Sequence, residues 1–186
     1  AIANSQLHAQ LERQSREREV LAEIGRIINS SLEIDDVYDR FAAEVRKLFA
    51  FDRLVISTVE PEHQTLRIAH VIGTEFLNRQ RGDRFPLAGT HTDTMITDRA
   101  PKCIQIENVD EALERYPGLS LAWEAGLRSF LGVPIILEGQ VIGALHLHSK
   151  TPSAYIEADV ALAERVGTQI AGAIANAQLH AQLEQG

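Results

Sequence analysis

His146 and His148 stand two residues apart in an apolar stretch, so on a strand they share one face. A neutral imidazole pair can offer zinc two ligands, or a haem one axial position. Two ligands fall short of a metal site, and no neighbouring Cys or Asp completes the set. His70 and His91 raise the same chemistry from other segments. Cys103 is the single cysteine, which excludes an internal disulfide and any CxxC redox or metal motif. In its apolar setting it reads as a small buried hydrophobe, with Lys102 the one hint of a reactive thiol. Thr90, His91, Thr92, Asp93 and Thr94 follow Gly89 as a polar run that can open a helix. Backbone N–H groups at such a start can receive an anion, or serve an ordinary cap. Trp123, Met95 and Phe130 are placed either to stack on a ligand or to plug a cavity with their own bulk. No Gly-rich phosphate loop, nucleophile elbow or HExxH accompanies them, so binding is expected rather than catalysis.

These residues need a scaffold, and hydrophobic periodicity supplies one. A helix is expected to about residue 30, and a second from Asp35 or Asp36 as cap to about Phe49, with Val37, Phe41, Val45 and Leu48 on one face. RLVISTVEP (53–61) and TLRIAHVIG (65–73) alternate like a hairpin of strands. The pattern weakens from Thr74 to Pro101, where 91–99 reads as a short helix. KCIQI (102–106) is a short strand, and 107–126 is loop and short helix. The clearest strands are 127–139 and 140–150, joined tightly at Glu138-Gly139-Gln140. A helix from about Ser153 to Gln185 closes the chain. The sum is an α+β fold: a central antiparallel sheet of five to six strands, helices on one face, and segment 74–128 covering the other. Irregular cover over a sheet is where ligand pockets form.

The two ends nearly repeat each other. Residues 1–12 read AIANSQLHAQLE and residues 173–184 read AIANAQLHAQLE, differing only at Ser5 and Ala177. The spacing is too long for a solenoid repeat and suits one whole domain. The outgoing helix of one unit then doubles as the incoming helix of the next. Residues 1–30 and 161–186 are accordingly connector helices flanking a domain at 31–160. Leu7 and Leu11 lie one turn apart, while Ile170, Ala173 and Ala177 step by three and four, as at a seam between helices. His8 and His180 fall at matching places on what reads as a solvated face.

The chain has 186 residues, 45% hydrophobic, with a formal net charge of -8, enough apolar material for one core and too acidic to favour nucleic acid or anionic lipid. No apolar stretch approaches the roughly 20 residues of a membrane span. A cytoplasmic setting is the default expectation.

RSFLGVPIILEGQVIGALHLHSK (128–150) resembles the central hairpin of the GAF domain. LAEIGRIINSSLEIDDVYDRFAAEV (21–45) is similar to its opening helices, and SAYIEADVALAERVGTQIAGAIANAQL (153–179) to its closing helix. The resemblance implies a six-stranded antiparallel sheet, a cavity in front, and a place in tandem, often dimeric signalling proteins such as sensor kinases of two-component systems. It also implies what departs from pattern. Lys150, Tyr155 and Asp159 fit part of the cyclic-nucleotide series, but Ser149 and Val160 break it. Residues 114–128 hold no Cys for a bilin, one Cys cannot run a methionine sulfoxide reductase cycle, and Ala122, Trp123 and Glu124 stand where haem-binding members place a His. The expectation is a non-catalytic sensory module with a small-molecule site drawn from His70, Thr90, His91, Thr94, Met95, Cys103, Trp123, Phe130 and His146. Its cofactor is unknown, and it would form a homodimer through its terminal helices. The alternatives are a ligand-free dimerisation spacer and a haem or metal redox sensor.

Overall fold

Alternation of side chains decides which residues each face of the sheet receives. In the computed structural model, which describes residues 2–30, 33–105 and 109–185, six strands form one antiparallel sheet. They are β1 (Arg53–Glu60), β2 (Thr65–Gly73), β3 (Arg84–Pro86), β4 (Lys102–Gln105), β5 (Ser129–Leu137) and β6 (Gln140–Ser149), in the order β3-β2-β1-β6-β5-β4. Leu54 and Ile56 of β1, Leu131, Val133 and Ile135 of β5, and Leu145 and Leu147 of β6 all enter the main core on one face. That face is covered by α1 (Ile2–Ile28), α2 (Ile34–Val45) and α6 (Glu157–Gln185). The opposite face carries α3 (His91–Asp98), α4 (Val109–Arg115) and α5 (Leu119–Glu124) within the long crossing from β2 to β5. The expected α+β fold and its hairpins are as observed.

Local departures have local causes. Asp35 and Asp36 lie in the first turn of α2 and favour its positive end, while Glu33 occupies the cap position without a side-chain cap bond. The helix ends at Val45, and a tight turn follows through the bond from Phe49 N to Val45 O. The closing helix begins at Glu157, where the Asp159 carboxylate reaches back to accept from Ile156 N at 2.9 Å. The three-residue β3 was not anticipated, since it is too short to show alternation. Ile106, expected at the end of β4, lies outside the described residues.

The packed core extends past both expected domain boundaries. Val20, Leu21, Ile24 and Ile27 of α1 and Leu162, Ala163, Val166, Ile170, Ala171, Ala173 and Ile174 of α6 belong to it. Ile170 and Ala173, expected at a seam with another helix, are therefore turned inward onto their own sheet and helices. Ala177 is half-buried, and Leu7, Leu11, Leu179 and Leu183 are exposed. Gln169 Nε2 donates to Leu21 O at 3.1 Å, and Gly172 faces Ile28. Residue numbers rise together across these contacts, so α1 and α6 run in the same general sense. The free start of α1 and the free end of α6 thus leave the domain at opposite poles. No helix among the described residues is long and apolar enough to cross a membrane.

Candidate functional site

The front of the sheet and the crossing above it enclose a cavity of about 320 Å³, near the lower bound of small-molecule sites. Its floor follows from alternation: Arg53, Val55 and Ser57 of β1, with His146 and His148 of β6 and Phe130 of β5. Register pairs Arg53 with His148 and Val55 with His146, so these side chains form rows across the floor. Phe76 and Arg79 after β2, Phe85 and Pro86 of β3, and the Tyr116–Leu119 link between α4 and α5 make the walls. Thr90 caps α3, accepting from Asp93 N at 3.1 Å, and with His91 and Thr92 closes one side.

Four of the expected residues meet here: Thr90, His91, Phe130 and His146. The other five do not line the cavity. Met95 is fully buried beneath α3, against Gly132, and Thr94 lies on the same helix away from the opening. Trp123 is turned aside under the Arg128 guanidinium, 3.6 Å above its ring, while its neighbour Ala122 lines the wall. Cys103 is exposed, contrary to its apolar sequence setting, because the edge strand β4 turns it to a separate shallow depression with Lys102 and Arg115. His70 lies on the opposite face, packed on Tyr38 of α2 at 5.5 Å between ring centroids. A bulge causes this: Ile56 pairs with His70 but Ser57 with Ile68, leaving Ala69 extra, so Ile68 reaches the cavity and His70 the helices. The sequence reading missed Arg53, Arg79, Phe76, Phe85, Ser57 and Tyr116. Of these, Arg53 carried a legible signal, a charge at an inward position of an alternating strand.

Burial sets the electrostatics. His91 is lowered to about 4, chiefly by burial, against which its hydrogen bond to Lys102 O works. His146 is lowered to about 3 by burial and then by repulsion from His91 and Arg53. His148 falls well below the ordinary histidine value from burial, with His146, Arg53 and His91 adding to it. All three are neutral at physiological pH. His146 Nε2 lies 3.0 Å from Thr92 Oγ1, tying the floor to α3. Arg53 is lowered to about 10 by burial, then by Arg79, with Glu75 opposing, and stays a cation. Among the described residues, no group of three or more His, Cys, Asp and Glu is arranged to hold a metal ion.

The lid rests on the sheet at one tight point. A Cβ added at Gly132 would come within 2.9 Å of His91 Cε1 and Met95 Cε. Gly132→Leu is expected to push α3 outward and cost about 1–3 kcal/mol by overpacking. Urea midpoints, with hydrogen exchange of the α3 amides, check this; an unchanged midpoint and unchanged protection would refute the seating of α3 on β5.

Residues 33–174 match the GAF domain family, and the chain belongs to it. Among solved structures, the phycocyanobilin-bound GAF domain of a cyanobacterial phytochrome is 21% identical, with a TM-score of 0.70 over 88% of this chain and 96% of that one. The GAF domain of an Acinetobacter phosphoenolpyruvate-protein phosphotransferase is 22% identical, with a TM-score of 0.70 over 89% of this chain and 97% of that one. The free methionine-R-sulfoxide reductase of Neisseria meningitidis, solved with its substrate, is 17% identical, with a TM-score of 0.69 over 88% and 91%. At these identities the likeness establishes the fold. No curated protein sequence matches the chain.

Proposed function

We propose that this GAF domain is a non-catalytic sensory module of the cytoplasm that binds a small molecule between its sheet and the crossing at 74–128. Occupancy shifts the population of two arrangements of the terminal helices, which pass the state to a neighbouring GAF or output domain. The observation that carries the reading is the placement of the cavity. Its floor is the front of β1, β5 and β6, while the back of β5 and β6 rests on α6. At Gly167 a Cβ would stand 3.1 Å from Val133 Cγ2, so the helix follows any shift of β5. The spacer alternative requires the cavity to be filled from within, yet of the expected plugs Met95 and Trp123 lie outside it, and Phe130 lines it while about 320 Å³ stays open.

The near-identical ends and the exposed Leu7, Leu11, Leu179 and Leu183 support a homodimer joined through the protruding helices. In a Cys103→Ser background, Leu7→Cys should give disulfide-linked dimers in good yield, and a ligand that raises the melting temperature should change that yield at least twofold. A strictly monomeric protein by light scattering, with no cross-link, sinks the relay. An absorption spectrum of freshly purified protein tests the redox alternative, since a Soret band would favour haem over the present reading.

A further inference from the structure

Arg53 is 1% exposed and sits on the cavity floor without a carboxylate partner among the described residues. Its Nη1 donates to Thr74 O and its Nη2 to Arg79 O, both at 2.6 Å, and the guanidinium lies 4.2 Å over the Phe76 ring. These contacts orient the cation without neutralising it. Its Nε–H is buried with no acceptor among the described residues. No Asp or Glu is among the described residues lining the cavity, and Glu75, which acts on Arg53 only through its field, is exposed. Arg79, the other cation at the wall, is only half-buried and likewise has no ion pair among the described residues, Asp83 acting on it through its field. One buried positive charge is therefore left over, and an uncompensated buried charge is costly.

Two further polar atoms of cavity-lining residues are buried with no partner among the described residues: His148 Nδ1 and Ser57 Oγ. His148 is the cross-strand neighbour of Arg53, so both address one spot. Ser57 lies four residues along β1, roughly 13 Å away at strand rise. Between them the walls are Val55, Ile68, Phe76, Phe85 and Phe130. The geometry points to a flat, apolar-bodied organic monocarboxylate as the ligand, its carboxylate at Arg53 Nε and His148 Nδ1, and its ring among the phenylalanines. A guanidinium matches a carboxylate in a planar, charge-assisted contact. Of the two cations only Arg53 is fully buried on the floor, which suits one carboxylate placed there. A polar group at the far end of the ligand meets Ser57 Oγ.

This inference rests on the proposed binding function, and matched probes separate the two. Calorimetric titration of the whole 186-residue protein would compare indole-3-acetate and benzoate with indole-3-acetamide and benzamide, and with acetate alone. The acids should bind at least tenfold more tightly than their amides, and acetate should bind far more weakly than either acid. Arg53→Met should remove the acid preference, bringing the affinities for acid and amide within about twofold of each other. The acid–amide comparison in the unsubstituted protein stands even if Arg53→Met fails to fold. Equal binding of acid and amide, or acetate binding as tightly as the aromatic acids, overturns the carboxylate inference and leaves the cavity as a binding site. No binding by any acid or amide overturns the binding function itself.

Discussion

Moving from pH 7.5 to pH 5 should destabilise this domain by about 4–6 kcal/mol, enough to bring a domain of ordinary stability close to unfolding. The cause is the histidine cluster on the cavity floor. His91 and His146 are held at about 4 and about 3, and His148 well below its ordinary value. In the folded chain His91 and His146 are buried and His148 half-buried, while all three are free to protonate in the unfolded chain, whose histidines titrate near 6.5. As pH falls through 6.5 the unfolded state takes up protons that the folded state refuses. Stability is therefore full above 6.5 and lost on acidification, at about 2 kcal/mol per histidine by pH 5. Arg53 lies beside His148 across the strands and opposes a second positive charge there, while the Lys102 charge acts against protonation of His91. His70, lowered by burial with Asp39 opposing, adds in the same direction from the other face. Urea midpoints at the two pH values measure the effect. His146→Gln should remove part of the acid sensitivity, while midpoints independent of pH between 7.5 and 5 would contradict the neutral, buried cluster.

How much of this was legible in the sequence depends on which physical signal each element carried. The pairs β1–β2 and β5–β6 showed themselves because each is two apolar, β-branched-rich segments of eight to ten residues joined by a short polar turn. Side-chain alternation puts His146 on the cavity face but misplaces His70, because it assumes an unbroken period of two. The extra residue Ala69 breaks that period in mid-strand, and nothing in TLRIAHVIG marks the bulge. The cavity walls escaped for a different reason. Phe85 and Pro86 come from a strand of three residues, and Tyr116 from a link between two short helices. Such segments are placed by the sheet they cover rather than by their own propensity. Trp123 shows the limit of residue type as a guide: an aromatic beside the site is claimed by the Arg128 cation instead. The heptad-like steps at Ile170 and Ala173 were real, but a stripe on a helix does not say whether its own sheet or another helix fills the groove.

Two glycines of the crossing, alike in sequence and in backbone, should respond very differently to a methyl group. Gly73 ends β2 at φ +91°, and Gly82 lies in the next turn at φ +89°. Both adopt a left-handed backbone, which costs an alanine about 1–2 kcal/mol. Around Gly82 nothing stands within 4 Å of an added Cβ, so Gly82→Ala should cost that amount and no more. At Gly73 the same Cβ would lie 2.0 Å from Asp52 O and 3.0 Å from Arg53 Cα, both backbone atoms. Neither can swing aside as a side-chain tip would. Asp52 is held on three sides: its N donates to His148 O, its O accepts from Thr74 N, and its Oδ2 accepts from Lys150 N. Relief must come from displacing the start of β1, adding about 1–3 kcal/mol of overpacking. Gly73→Ala should therefore cost about 2–5 kcal/mol in total. It should also move Arg53, whose backbone pairs with Gly73 across the strands. Equal urea midpoints for the two variants would mean that the close approach at Asp52 is absent in solution. A large loss at Gly73 alone ties the end of β2 to the placement of the one buried cation that the floor of the cavity leaves unbalanced.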